Sequence, residues 1–175
     1  MSVSKGELVP RRISVFVSVA SIFSALTAAA TYLIHVPSPT GGYTHIGDTV
    51  IYLSALLFGP AVGLAVGVVG PLAADLLVGY PRWYVTIVAH GLQGYVAGLG
   101  KGKRLRAQVM LIVAAGLLMS FTYFIVNVIV KGAELALLSL ARDIFGQSLI
   151  SWLLSLALLK PLEKNAVVRK AASMI

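Results

Sequence analysis

Residues 13–35 read ISVFVSVASIFSALTAAATYLIH, a run without Asp, Glu, Lys or Arg. As a helix rising about 1.5 Å per residue it would reach about 34 Å, enough to cross a hydrocarbon core of roughly 30 Å. Arg11 and Arg12 precede it, and Pro37 and Pro39 forbid its continuation. The run is too long for the core of a signal peptide. The following Pro37-Ser38-Pro39-Thr40-Gly41-Gly42 also lacks a small-residue cleavage pattern, so the segment is expected to be a retained first span. Uncharged stretches recur at 49–74, 83–100, 107–130 and 144–159, leaving almost nothing for a soluble domain. The chain has 175 residues, of which 58% are hydrophobic and 11% charged, and its mean hydropathy is +0.92. Those values exclude a disordered chain, a secreted disulfide scaffold and a cytosolic enzyme. Cysteine is absent, which removes thiol catalysis, disulfides and thiolate-bound metals.

The expected fold is an all-α integral membrane protein: one domain over residues 1–175, with six helices at about 13–35, 45–58, 61–78, 82–99, 107–130 and 143–159. Gly59-Pro60 makes a tight turn between the second and third, and Gly79-Tyr80-Pro81 ends the third. Net charge is +8, from 14 Lys and Arg against 6 Asp and Glu. With the N-terminus inside, Lys5, Arg11, Arg12 and the clusters at 101–106 and 160–170 are cytoplasmic, leaving Arg82, Lys131 and Arg142 outside. That asymmetry favours an even number of spans with both termini in the cytoplasm of a multi-pass cell-membrane protein. The excess charge is thus accounted for by orientation and anionic lipid, and nucleic acid is not an expected partner. The second helix is too short to span comfortably at about 21 Å. The preceding loop is therefore expected to dip into the bundle and carry Asp48 below the outer surface.

Polar side chains are costly in lipid, and those within spans usually face inward and serve function. Here they share a depth. His45 and Asp48 open the second helix, Asp75 lies near the outer end of the third and His90 lies within the fourth. Asn127 is near the outer end of the fifth, and Gln147 starts the sixth. Tyr52, Trp83, Tyr84 and Tyr123 supply aromatic faces at similar heights. The pattern predicts a small-molecule pocket in the outer half of the membrane, lidded by residues 36–44. His45, Asp48, Tyr52, Asp75, Trp83, Tyr84, His90, Asn127 and Gln147 are its candidate substrate contacts. Each has a rival role. Trp83 and Tyr84 suit an interfacial belt, Asn127 and Gln147 suit interhelical hydrogen bonds, and His90 suits a satisfied bundle histidine. Asp48 and Asp75 could be locked by Arg82 or Arg142.

Small residues form a second pattern. Ser21, Ala25 and Ala29 recur every four residues on the first helix beside a parallel row of Ala20, Ser24 and Ala28, giving a smooth face suited to a partner protein. Gly59, Gly63 and Gly67, with Gly94 and Gly98, read as internal packing. The chain carries no visible motor. Neither Gly100-Lys101 nor Gly102-Lys103 has a glycine five residues earlier, so no nucleotide-binding loop G-x-x-x-x-G-K-[ST] exists. The contexts of Asp48 and Asp75 do not match intramembrane aspartyl proteases, and no G-x-S-x-G elbow occurs. Histidines 35, 45 and 90 show no metal-binding spacing, so neither metal nor cofactor is expected.

Tyr43-Thr44-His45-Ile46-Gly47-Asp48, Leu56-Leu57-Phe58-Gly59-Pro60 with Gly63, Ala73-Ala74-Asp75-Leu76-Leu77 and Gly79-Tyr80-Pro81 together resemble the substrate-binding S components of energy-coupling factor (ECF) vitamin transporters. The resemblance is close over about residues 43–99. Elsewhere it consists of the six-helix layout and the small-residue rows, where Ala25 and Ala29 look like the Ala-x-x-x-Ala motif that meets the transmembrane coupling partner. It implies a high-affinity binding subunit that takes a water-soluble vitamin or precursor from outside, under the loop joining the first two helices. The implied partners are a transmembrane coupling subunit and two cytoplasmic ATPases, with release by toppling in the membrane. The nearest subfamilies are those for riboflavin and for pyrimidine or pyridoxine precursors. Two rival functions follow from the residues: a self-sufficient carrier coupled to protons through Asp75 or His90, and a small intramembrane hydrolase using the two aspartates.

Overall fold

The computed structural model describes the backbone from Lys5 to Ile175 and side chains from Arg11 onward; the side chain of Lys5, counted above among the cytoplasmic charges, lies outside the described residues. The elements run α1 (Lys5–Leu33), β1 (His35–Pro37), β2 (Tyr43–His45), α2 (Asp48–Phe58), α3 (Pro60–Val78), α4 (Trp83–Gly98) and α5 (Leu105–Lys131). There follow α6 (Ala133–Ala141), a π-helical stretch (Arg142–Ser148), α7 (Leu149–Lys164) and α8 (Ala166–Ala172). Segments α6, π and α7 join end to end as one rod.

Among the described residues, four helical stretches are long and apolar enough to cross a bilayer: 11–33, 60–78, 105–131 and 133–164. The second and fourth of the six expected helices are shorter than these. Helix α2 has 11 residues and α4 has 16, so at about 1.5 Å each they reach only about 16 and 24 Å. His45, expected in the second helix, instead ends a two-stranded antiparallel hairpin in which His35 faces His45 and Pro37 faces Tyr43. The last rod starts at Ala133, about ten residues earlier than expected. Glu134 and Arg142 mark the limits of an uncharged run, but a helix tolerates such residues at its ends, and only Gly132, at φ 82°, interrupts the chain there.

The distribution of side chains is inverted relative to a water-soluble protein. Ile22, Leu26 and Ile129 are more than half exposed, while Asp48, Gln93, Ser54 and Thr27 are fully buried. Such an outside matches lipid, and such an inside must satisfy its own hydrogen bonds. Helix α2 is the axis of the bundle: every one of its residues except Val50 is buried. Its apolar residues, including Ile51, Leu56 and Phe58, form the core with Val62, Val66, Ala97, Ile112 and Leu159.

Glycines bring α3 and α4 together. A Cβ on Gly63 would stand 2.2 Å from the carbonyl oxygen of Gly94, and one on Gly67 would stand 2.0 Å from that of His90. Backbone therefore lies on backbone, as the four-residue glycine spacing predicts. At one end of the bundle Lys101 Nζ donates to the carbonyls of Phe58 (3.3 Å) and Ala172 (3.2 Å), joining the ends of α2 and α8. At the other end Lys131 and Arg142 reach the hairpin tip. On α1 the row Ser21, Ala25 and Ala29 is exposed, whereas Ser24, Thr27 and Thr31 are buried against the bundle.

Candidate ligand-binding site

The hairpin end contains a narrow cavity of about 30 Å³. Its wall is built from the hairpin (Tyr43, His45), α3 (Pro71, Asp75), the turn after it (Tyr80, Arg82), α4 (Thr86, His90), α5 (Met119, Tyr123, Asn127) and the π-helical stretch (Arg142, Asp143, Gln147). Five of the candidate contacts read from the sequence therefore line one space: His45, Asp75, His90, Asn127 and Gln147. Asp48 lies immediately behind the wall. Its Oδ1 is 3.1 Å from His90 Nδ1, and its Oδ2 accepts a hydrogen bond of 2.9 Å from Gln147 Nε2.

Tyr52 lies deeper, fully buried, and its hydroxyl accepts from Gln93 Nε2 (2.7 Å) and Trp152 Nε1 (3.1 Å). Trp83 and Tyr84 are 43% and 53% exposed and take no part in the wall. Helical rotation explains Tyr84, about 160° round α4 from Thr86, whereas Trp83 is in phase with Thr86 and His90 but stands at the first residue of the helix, one turn nearer its end. No arginine locks the two acids. Asp48 is held by His90 and Gln147, Asp75 accepts from the Tyr43 hydroxyl, and Arg142 pairs with Asp143 at 2.6 Å.

Local geometry delivers these groups. Gly47 turns the chain from β2 into α2, where a Cβ would come within 2.0 Å of Thr31 Oγ1; only glycine lets Asp48 enter the bundle here. The π-helical stretch places Asp143 and Gln147 in the same wall, both about 4% exposed, and π segments recur at functional sites. Thr44 Oγ1 reaches Gln147 Oε1 at 3.4 Å, tying the hairpin to that stretch. The hairpin is further held at its tip, where Lys131 Nζ donates to the Thr40 carbonyl (2.6 Å) and Ser139 Oγ (3.0 Å), and Arg142 Nη1 donates to the Gly41 carbonyl (3.2 Å). The hairpin thus gives Tyr43 and His45 to the cavity wall and is tied at its tip to α5, α6 and the π-helical stretch.

The interior is aromatic as well as polar. The His90 ring lies 5.8 Å from Tyr123 and 5.7 Å from His45, and Tyr43 packs edge-on against Tyr80 at 5.6 Å. His90 Nδ1 faces two acceptors, Asp48 Oδ1 and Gln93 Oε1 (2.7 Å), so it carries a proton. His45 Nδ1 accepts from the Gly47 N–H at 3.2 Å, which leaves the proton of a neutral ring on Nε2. Burial pushes His45 down to about 4, so that ring is neutral at physiological pH. Burial and the Asp75 carboxylate push the Tyr43 phenol up, keeping it a hydrogen-bond donor. Among the described residues, Asp75 Oδ2 is buried without a hydrogen-bond partner.

His45, Asp48 and His90 also present potential metal-ligand atoms within 4.8 Å of one another. Sequence spacing did not show this convergence, because it depends on the hairpin folding His45 back over α2. The cavity residues that the sequence reading did not count as contacts are Tyr43, Pro71, Tyr80, Arg82, Thr86, Met119, Tyr123, Arg142 and Asp143; of these it named Tyr123 as an aromatic face and the two arginines as possible locks. A signal existed for two of them. Met119 and Asn127 flank Tyr123 at four-residue intervals on α5, and Thr86 stands one turn before His90.

The sequence profile of the family described as "ECF-type riboflavin transporter, S component" matches residues 14–164. A protein of Pyrococcus woesei described as an uncharacterized protein in a gap 3′ region is 36% identical over 118 residues, 65% of this chain and 79% of that protein. "UPF0397" proteins of Streptococcus pneumoniae, among them those of strains G54 and 70585, are 40% identical over 68 residues, 38% of this chain and 37% of theirs. The match thus spans little more than a third of the streptococcal proteins. With the profile covering most of its length, and with the apolar exterior and multiple spans of a membrane protein, the chain belongs to the ECF-type riboflavin transporter S component family.

Proposed function

We propose that this chain is the high-affinity binding subunit of an ATP-driven importer, taking a water-soluble vitamin or precursor from outside the cell into the cavity beneath the 36–44 hairpin. Riboflavin and pyrimidine- or pyridoxine-like compounds are the leading candidates. The observation that carries this reading is the cavity itself: a lidded space at one end of a lipid-compatible bundle, walled by five aromatic or imidazole rings and by hydrogen-bonding groups from six segments. His45, Asp75, His90, Asn127 and Gln147 are proposed to touch the ligand, with Asp48 positioning His90 and Gln147 from behind. The Asn127 amide, 3% exposed, has no side-chain hydrogen bond among the described residues and is available to a ligand.

In this reading α2 and α4 complete six crossings, both termini are cytoplasmic, and the bilayer thins or the hairpin dips where α2 is short. The exposed Ser21, Ala25 and Ala29 row meets a transmembrane coupling subunit, and two cytoplasmic ATPases supply the energy. The test is mass spectrometry of small molecules retained by the purified chain, followed by uptake in cells with and without the partner subunits. A retained vitamin and partner-dependent uptake are expected. Uptake by the chain alone, driven by a pH gradient, would instead support a proton-coupled carrier, for which the buried Asp48–His90 pair at 3.1 Å is the favouring feature.

A further inference from the structure

Arg82 differs from the other two cations at the hairpin end. Arg142 is engaged by Asp143 and the Gly41 carbonyl, and Lys131 by the Thr40 and Gly41 carbonyls and Ser139. Arg82 Nε donates to the Tyr80 hydroxyl at 3.0 Å, and its guanidinium carbon lies 5.2 Å from the centroid of the same ring. These contacts fix the plane of the guanidinium. Among the described residues its two terminal amino groups have no hydrogen-bond partner, and no carboxylate lies within ion-pair distance of it. Nη2 would be 3.8 Å from a Cβ on Gly42, a glycine at φ 83°, so the lid leaves space beside the fork where a side chain would fill it. On another part of the same wall, Asp75 Oδ2 is buried and unpartnered.

An oriented guanidinium with both terminal amines unused matches a planar pair of anionic oxygens, which carboxylate and phosphate both provide. A buried unpartnered carboxylate oxygen calls for a donor. The rings of Tyr43, Tyr123 and His90 offer flat surfaces in the same space. We propose that the ligand is a planar heterocycle that carries a carboxylate or phosphate, held bidentately by Arg82, while a ring N–H or O–H is donated to Asp75 Oδ2. This deepens the receptor reading above and rests on it. It specifies an anionic member of the vitamin class, and it makes Arg82 the specificity-determining residue.

The experiment is calorimetric titration of the purified chain in detergent with neutral and anionic partners of one ring: nicotinamide and nicotinate, pyridoxine and its 5′-phosphate, riboflavin and its 5′-phosphate. Inorganic phosphate and a short-chain phosphatidylglycerol are run alongside. The expected result is that one anionic compound binds at least about tenfold more tightly than its neutral partner, the scale of a charge-assisted pair. That gap should collapse in Arg82→Gln, be only partly restored in Arg82→Lys, which keeps the charge and loses the fork, and persist in Asp75→Asn while both affinities fall. Neutral compounds binding as tightly as anionic ones, or a gap unchanged in Arg82→Gln, would overturn the proposal; if Asp75→Asn still weakened them, the receptor reading would stand. Arg82-dependent binding of phosphatidylglycerol alone would assign the fork to a lipid headgroup and also overturn it. No binding by any member of the panel would overturn it too, whereas a neutral vitamin retained on purification would again leave the receptor reading in place.

Discussion

Gly67→Ala is expected to damage the cavity from a position that does not line it. The new Cβ would lie 2.0 Å from the His90 carbonyl oxygen and 2.8 Å from its carbon. A tolerable carbon–oxygen separation is about 3.2 Å, so α3 and α4 must part by roughly 1.2 Å at this level, and neither clashing atom belongs to a side chain that can rotate away. His90 would be carried with its backbone, lengthening its 3.1 Å approach to Asp48 toward about 4 Å, beyond a hydrogen bond. Overpacking of this kind costs about 1–3 kcal/mol, and the loosened buried pair adds about 1–2 kcal/mol. At about 2–4 °C per kcal/mol for a chain of this size, the melting temperature should fall by roughly 4–20 °C. The assay is thermal unfolding in detergent, read by gel filtration and tryptophan fluorescence, with ligand affinity measured below the transition. Gly146→Ala is the control, because its Cβ would meet nothing closer than 3.9 Å. A Gly67→Ala protein melting within about 2 °C of wild type and binding normally would refute the claim that this glycine sets the position of His90.

The remaining expectations concern other parts of the molecule. Tyr52→Phe removes the acceptor shared by Gln93 and Trp152, and one buried and one part-buried donor left without it should cost about 1–3 kcal/mol in a chemical or thermal melt; unchanged stability would show that the hydroxyl is dispensable. Lys101→Met should free the end of α8 and lose about 1 kcal/mol, seen as faster proteolysis near Ala172, whereas an unchanged digestion pattern would contradict the tie. His45 is held at about 4 in the folded chain against 6.5 when unfolded, so the folded state binds fewer protons between those values. Its contribution is complete above about pH 6.5 and declines as pH falls toward 4, by up to about 3 kcal/mol; His45→Asn should flatten that part of the wild-type stability profile. Ala25→Leu with Ala29→Leu should abolish partner-dependent uptake and leave ligand affinity of the isolated chain unchanged, and normal uptake would remove this face as the coupling surface.

Hydropathy and punctuation revealed most of the bundle. Gly59-Pro60 and Gly79 end helices where expected, and the glycine spacings of α3 and α4 report a real backbone contact. The β-hairpin escaped because its strands have three residues each, too few for alternation to register, and because Pro37 and Pro39 dominate the local reading. The start of α6 escaped because charge was used as a boundary, although Glu134 and Arg142 sit on a helix that only Gly132 interrupts. For the cavity, depth in the membrane brought His45, Asp75, His90, Asn127 and Gln147 together correctly. Depth carries no azimuth, so Tyr84 was grouped with residues on the opposite side of α4, while Trp83, in phase with Thr86 and His90, opens the helix and stays 43% exposed. Tyr52 shared the height and the inward direction, yet Gln93 and Trp152 had already claimed its hydroxyl, a pairing between residues about forty and a hundred positions distant.

The widened turn at Arg142–Ser148 holds about one residue more than ordinary winding would place there. Deleting one residue of it would let the rod close into an unbroken α-helix while α7 keeps its angular phase, so Trp152 would still meet the Tyr52 hydroxyl, now at 3.1 Å. The loss would fall on the turn itself, whose Asp143 and Gln147 both reach the cavity wall. Sequence change can therefore retune the mouth of the protein without twisting its keel.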